Sequence, residues 1–329
     1  MSAPGPGACD ACLRRAWLIG SLCERIDRVA AERRSEVPRA LLALGDEELA
    51  GAVGGARAMP ILEHARGRDA TRLREAVRGS HCWACCRHDP RFPPQLLQLA
   101  DPPATLFGRG DPSLLDALGG GTAAATIVGA RRPSAYGREM AESLARRLAG
   151  CGVIVVSGMA FGIDSCAHAG ALAAGGATVA VLGGGADSPT PRGKARLYEQ
   201  LVGSGLVLSE LPPGTDPRPW TFPARNRIMA ALAGMTIVVE ARVRSGSRIT
   251  AEMAIELGRD VGAVPGEVGN PSAAGTNTLL REGAHVVRDA EDVLDSMLGV
   301  AGVPAREALD EPGLAGALTP AQSAALESV

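Results

Sequence analysis

Aromatic side chains are nearly missing from this 329-residue chain: Phe, Tyr and Trp make up 3% of it, against 46% for hydrophobic residues as a whole. A core with so few rings has to be built from Ala, Val, Leu and Ile on closely packed elements. That suits helices laid on a parallel sheet better than an aromatic-rich β-sandwich, and it leaves few platforms on which a base could stack. Lysine is scarcer still, because Lys194 is the one lysine among 34 basic residues. The 36 acidic residues bring the net charge to −2, which excludes a generally basic protein of the kind that coats duplex DNA. Any nucleic-acid site has to be a local patch. Runs of about 18 apolar residues are missing too, and Met1 leads into Gly, Pro and Ala without an apolar signal core, so a cytoplasmic protein is expected. The eight cysteines, two of them adjacent at Cys85 and Cys86, do not look like a secreted disulfide framework, and most are expected to be reduced.

What is present falls into three parts. After an opening stretch expected to be disordered (Met1 to Gly7), residues 8 to about 99 are rich in Arg, Ala, Leu and Glu at helical spacing, with Asp46 as a helix-cap candidate. This predicts a small N-terminal helical domain, SAM-like, over residues 1–100, closed by Pro93-Pro94 and Pro102-Pro103. From Ala123 the pattern becomes short β-branched runs alternating with amphipathic stretches. Strands are predicted over 124–128, 153–157, 178–182, 206–209, 236–239, 261–264 and 284–287, and helices over 137–149, 164–174, 194–202, 225–233, 247–257, 276–282 and 290–298. Together they predict an α/β domain over 101–300, a doubly wound Rossmann-like parallel sheet with its ligand site beyond the carboxyl ends of the strands. Residues 301–329 are expected to be a linker followed by the remnant or truncated start of a further domain.

Most predicted strands end in turns of Gly, Ser, Arg or Asn at that edge. Gly129-Ala130-Arg131-Arg132 places Arg131 at the mouth of the sheet, although a glycine turn after a strand is also common structural punctuation. Ser157-Gly158-Met159-Ala160-Phe161-Gly162-Ile163-Asp164 joins a strand to a helix start whose amides can hold a phosphate, with Asp164 read as a cap in preference to an acid catalyst. Gly183-Gly184-Gly185 lets either a helix or a ligand pack on bare backbone, and Lys194 is either a solvated surface residue or a point-charge contact to phosphate. Arg225-Asn226-Arg227 suits phosphate oxygens and the edge of an unpaired base, with structural ion pairs as the alternative. Ser245-Gly246-Ser247, with Thr250, can cap a helix, bind anions, or do both, and Pro265-Gly266, Asn270-Pro271 and Gly275-Thr276-Asn277 end the sheet in polar turns. A rim with glycines, hydroxyls, amides and arginines but no converging acid–base pair is expected to bind a phosphodiester without cleaving it, and to need no cofactor.

In this order and spacing the motifs resemble the DNA-processing protein A (DprA/Smf) family. The resemblance runs from about Cys86 to Ser296, opening on Arg87-His88-Asp89-Pro90-Arg91-Phe92-Pro93 and Leu106-Phe107-Gly108-Arg109-Gly110-Asp111. It implies a protein of DNA uptake, natural transformation and recombination that binds single-stranded DNA, dimerises through its Rossmann-like domain and loads the RecA recombinase. The family's positive pocket carries over onto Arg131, residues 157–164, Lys194 and Arg225-Asn226-Arg227. Here Ala130 stands where the family has serine, and Arg248 where it commonly has leucine, so that Arg248 either extends the patch or pairs with Glu252. Many members end in a winged helix; this chain stops within what would be its first helix.

Three rivals use related scaffolds. A phosphoribohydrolase would need a PGGxGTxxE string, and the nearest one, Pro265-Gly266-Glu267-Val268-Gly269, lacks it. A nicotinamide enzyme would need GxGxxG after the first strand, where Gly129-Ala130-Arg131 stands instead. A nucleotide-binding sensor shares the phosphate-loving rim and differs only in ligand length. Separately, Cys9-x-x-Cys12 and Cys82-x-x-Cys85, with Cys86 and His88, are compatible both with a structural zinc site and with buried thiols of a helical domain.

Overall fold

Short β-branched segments that alternate with amphipathic ones cannot bury both faces alone, and here they assemble into one sheet. The computed structural model describes residues 7–33 and 37–299. Its strands are β1 (Trp83–Cys86), β2 (Thr105–Gly110), β3 (Ala124–Val128), β4 (Ile154–Ser157), β5 (Thr178–Val181), β6 (Leu206–Ser209), β7 (Met235–Val238), β8 (Asp260–Ala263) and β9 (His285–Val286). They lie in the order β1-β2-β6-β5-β4-β3-β7-β8-β9, with β3 to β9 mutually parallel and β1 and β2 added antiparallel at one edge. The chain winds outward from β3 through β6 and returns to place β7 beside β3, which is the doubly wound arrangement.

Helices cover both faces. Five come first: α1 (Asp10–Arg33), α2 (Val37–Ala43), α3 (Asp46–Gly54), α4 (Ala58–Arg66) and α5 (Ala70–Gly79), followed by α6 (Ser113–Gly119). Within the doubly wound part come α7 (Ala135–Gly150), α8 (Ile163–Ala173), α9 (Ala195–Ser204), α10 (Thr221–Leu232), α11 (Gly246–Glu256), α12 (Ala274–Arg281) and α13 (Ala290–Leu298). Strand alternation divides the core. Val156, Val181 and Leu208 meet Ile228 of α10, Ala251 of α11 and Leu279 of α12, while Ile127, Val155 and Ile237 meet Leu144 of α7, Ala167 of α8 and Val293 of α13.

Three expectations change. Trp83–Cys86 is a strand of the sheet, so the boundary placed at residue 100 cuts between two sheet strands. Both antiparallel strands escape a periodicity reading because they lack apolar alternation; where they pair, the Trp83 ring lies over Gly108, and a Cβ there would come within 2.1 Å of it. The amino-terminal helices share a core with the rest: Trp220 lies among Leu22, Leu49 and Leu62 and donates from its indole to Cys23 O at 3.0 Å. Asp46 is not a cap. Gly45 holds that position, its N–H donating to the Glu48 carboxylate at 3.0 Å, and Asp46 pairs with Arg15 at 2.7 Å. The expected tail at 301–329 lies outside the described residues, as do residues 1–6 of the opening stretch. Among the described residues no helix is long and apolar enough to cross a membrane.

One buried group makes this packing sensitive to acid. His168 of α8 is fully buried, and Thr178 Oγ1 donates to Val155 O at 2.9 Å, so His168 Nδ1, 2.8 Å from that hydroxyl, must be its donor. Nε2 is then a bare acceptor with no partner, and burial, reinforced by the charge of Arg225, pushes the imidazole from 6.5 down to about 3. A depressed folded pKa leaves stability intact above 6.5 and removes it as the pH falls toward about 3, because only the unfolded chain takes up the proton. Acidification from about pH 7 to about pH 5 is expected to cost about 2 kcal/mol through this residue. Urea titrations at the two pH values should show His168→Gln losing less stability than the wild type; equal losses would remove His168 as the cause.

Candidate nucleic-acid interface

Reversal of strand order between β3 and β7 forces the loops that follow them apart, and a cleft of about 610 Å³ opens there. Its wall includes Gly129 and Arg131 after β3, Asp164 at the start of α8, Arg225 and Asn226 on α10, and Ser245, Gly246, Ser247 and Thr250 at the start of α11. The first turns of three helices thus face one cleft, and the helix dipoles bring partial positive charge to it.

The geometry starts from Gly158. A Cβ there would lie 2.0 Å from the guanidinium of Arg225, so only bare backbone lets this arginine enter. Arg225 Nη1 donates to Gly158 O at 2.6 Å and to Val181 O, Nε donates to Asn226 Oδ1 at 3.1 Å, and Nη2 stands 3.9 Å from Asp164 Oδ2. Burial raises the carboxyl of Asp164, opposed by the positive charge of Arg225, and Asp164 also accepts from Ala160 N at 3.3 Å. Asp164 therefore caps the loop amides from within the first turn of α8; Gly162 is the residue before that helix. Asn226 reaches on to Gly246 O at 3.4 Å and ties α10 to α11.

Several residues expected at the rim are structural. Ser157 is buried and donates to Ile127 O at 2.6 Å. Gly184 packs against Pro217 and the carbonyl of Thr215, so the glycine run accommodates a loop of the chain itself. Arg227 is the clearest correction: it lies on the opposite side of α10 and spends every donor internally. Its bonds run to Asp101 Oδ2 (2.8 Å), Asp101 O (3.0 Å), Glu210 Oε1 (2.8 Å), Glu210 Oε2 (2.7 Å) and Ala224 O (2.8 Å). The alternation of a helix explains it, since neighbours two apart, such as Arg225 and Arg227, do not share a face. Lys194 lies outside the cleft wall, with its ammonium 5.4 Å from the centroid of the exposed Phe161 ring. Ser245 caps α11 by accepting from Ser247 N at 3.4 Å, and its hydroxyl meets that of Ser247 at 2.7 Å. Thr250 returns to Gly246 O at 3.5 Å, and Arg248 pairs with Glu282 (3.4 Å) and Glu252 (3.9 Å), leaving the patch without it.

The structure adds cations that the motifs did not single out. Arg132, Arg242 and Arg244 join Arg131 around an adjoining pocket with Ser245 and Ser272. All four arginines are exposed, and none forms an ion pair among the described residues. Arg242-Val243-Arg244 follows the expected strand 236–239 after Glu240 and Ala241, a signal that was legible but lacked a glycine to mark it. Gly275 holds this loop close: its N–H donates to Ala241 O at 2.7 Å, and a Cβ would press within 2.4 Å of Arg242 O. Of the chain's four phenylalanines, Phe222 lines the cleft with Arg131 5.5 Å from its ring centroid, and the exposed Phe161 of the loop before α8 lies beneath Lys194.

Asp164, the carboxylate of the cleft wall, is committed to structure as described, and the buried Glu240 accepts from Ser134 N at 2.8 Å. Removing Arg227 and removing Arg244 should therefore differ sharply. Arg227→Met strands Asp101 and Glu210 and is expected to lose about 3–5 kcal/mol in urea denaturation, whereas Arg244→Ala should leave the midpoint in place. Equal midpoints for both would overturn the division between buried and rim arginines.

The model of the family described as DNA recombination-mediator protein A matches residues 83–298. DNA processing protein DprA of Bacillus subtilis is 40% identical over 210 residues, spanning 63% of this chain and 68% of that protein. Protein Smf of Escherichia coli is 40% identical over 232 residues, 68% of this chain and 61% of the relative. A putative DNA processing protein DprA of Mycobacterium tuberculosis reaches 48% over 172 residues, 52% and 44% of the two lengths. The match thus spans about two thirds or less of these relatives. Among solved structures, DNA processing protein A of Streptococcus pneumoniae superposes with a TM-score of 0.69 at 33% identity, covering 87% of this chain and 96% of that one. The Helicobacter pylori protein, described by its single-stranded DNA binding mode, gives 0.59 at 30% identity, with 67% and 97% covered.

Proposed function

Because the chain belongs to the DNA recombination-mediator protein A family, we propose that it binds single-stranded DNA across the cleft between β3 and β7 and hands the strand to RecA. It does so as a homodimer in the cytoplasm, in natural transformation and recombination. The observation that carries this reading is the unpaired quartet Arg131, Arg132, Arg242 and Arg244 beside three helix N-termini. Such a site attracts phosphates through charge and through amide donors together. The single-stranded DNA binding described for the Helicobacter pylori relative supports the choice of polymer.

An unpaired strand, unlike a duplex, offers base faces as well as phosphates. Composition argued for little stacking, yet Phe222 lines the cleft and Phe161 is exposed on the loop before α8, each with a cation near its ring. Base–aromatic contacts of about 1–3 kcal/mol each are open to them. We read the protein as a binder in preference to a nuclease, a reading supported by Asp164 of the cleft wall, which accepts from Ala160 N and lies 3.9 Å from Arg225.

Fluorescence anisotropy on a labelled single strand, with same-length duplex and AMP as competitors, tests this. Binding should weaken with salt, and Arg131→Ala and Arg242→Ala/Arg244→Ala should lower the salt slope by about 0.7 per arginine removed. AMP should compete poorly. Displacement by low AMP, or an unchanged slope in the variants, would reject the reading in favour of a nucleotide sensor or a different surface.

A further inference from the structure

Away from the cleft, four side chains with metal-ligating atoms converge. Cys9 immediately precedes α1 and Cys12 lies in its first turn, so spacing of three puts both thiols on one face. Cys86 ends β1, and His88 sits in the turn that follows. His88 Nδ1 lies 3.4 Å from Cys12 Sγ, 3.5 Å from Cys9 Sγ and 3.9 Å from Cys86 Sγ, and all four ligand atoms lie within 4.8 Å of one another. We propose that Cys9, Cys12, Cys86 and His88 form a structural zinc site that fastens the start of α1 to the end of β1.

The donor set and its size support this. Zinc–sulfur bonds of about 2.3 Å and zinc–nitrogen bonds of about 2.0–2.1 Å at tetrahedral angles place ligand atoms about 3.5–3.8 Å apart. The distances above already fall around that range. The backbone N–H of Cys9 donates to Cys86 Sγ at 3.4 Å, a bond that strengthens when the sulfur is a thiolate. Three thiolates and one imidazole complete a tetrahedron and leave no position for water, so the site is structural and not catalytic. Three thiol protons pass to solvent when the metal binds.

Of the two Cys-x-x-Cys pairs, Cys9–Cys12 supplies ligands and Cys82–Cys85 does not. Consecutive strand residues project to opposite faces, so Cys85 enters the core beside Phe92 and Leu96 while Cys86 turns toward Cys9. Cys82 packs with Leu13 and Phe107 and approaches Ser80 O at 3.5 Å. The fastening is reinforced by Gly7 N–H to Asp89 Oδ2 at 2.7 Å and Cys86 N–H to Gly7 O at 3.1 Å. It joins segments 77 residues apart in sequence, and metal binding of this kind is coupled to folding.

The test is zinc content of the reduced, full-length chain after zinc loading and gel filtration, with cobalt substitution as a second readout. About one zinc per chain is expected, with the visible bands and thiolate charge transfer of a tetrahedral cobalt site. Cys12→Ser/Cys86→Ser should retain no more than about a tenth of the metal, while Cys82→Ala/Cys85→Ala and His88→Cys keep it. Circular dichroism separates ligand loss from unfolding. A reduced wild type that elutes metal-free, or metal retained in Cys12→Ser/Cys86→Ser, would overturn the proposal without touching the reading of the cleft.

Discussion

Arg225 is the group on which the cleft depends. Its guanidinium is threaded past the bare backbone of Gly158 to the carbonyls at the ends of β4 and β5, with Asp164 and Asn226 as side-chain partners. Burying such a charge costs several kcal/mol unless its donors are met, so the loops that meet them are fixed in turn. Asp164 orders the amides before α8, and Asn226 reaches α11. Met159, left-handed at φ 56° in the loop between Gly158 and Asp164, is a strained conformation that persists only in a framework determined by so many other contacts. A cationic side chain that sequence reading takes for a ligand contact is first of all the pin that gives the cleft its shape.

Arginine here serves two separate ends. Arg227 is buried with every nitrogen bonded within the chain and Arg225 is buried with Nε and Nη1 bonded and Nη2 3.9 Å from Asp164, whereas Arg131, Arg132, Arg242 and Arg244 are exposed and form no ion pair among the described residues. A net charge of −2 is compatible with this because charges separated by more than a Debye length of about 10 Å are largely screened at 0.1 M salt. Carboxylates elsewhere, many already paired with other arginines as in Arg146–Glu142 and Arg147–Glu291, do not cancel the field at the rim. The hydroxyls of Ser245 and Ser247, bonded to each other at the α11 cap, keep that amide end in place beside it.

How much of this was legible follows from which signals are local. The seven parallel strands were read within a residue or two, because each is a short β-branched run followed by a turn. β1 and β2 were not, since an antiparallel edge built from Trp-Ala-Cys-Cys and a glycine-bearing strand has no alternation to betray it. At the site, Gly129, Arg131, Asp164, Arg225, Asn226, Ser245, Gly246, Ser247 and Thr250 do come together. Ser157, Gly184 and Arg227 were misassigned for one reason. A motif names residues that travel together along the chain, while burial and partner choice depend on segments such as Asp101, Glu210 and Thr215 that lie far from it.

The strand reversal that opens the crevice also determines what can fill it. Loops after β3 and β7 part at that point, and each carries two of the free arginines, Arg131 and Arg132 on one side, Arg242 and Arg244 on the other. Gly275 keeps the second loop from retreating. A mononucleotide carries its phosphate at one end, whereas a chain of phosphates laid across the crevice meets both loops at once and releases counterions at each. The two-sided placement of charge, which follows from topology more than from any single motif, is therefore the physical reason to expect a polymer.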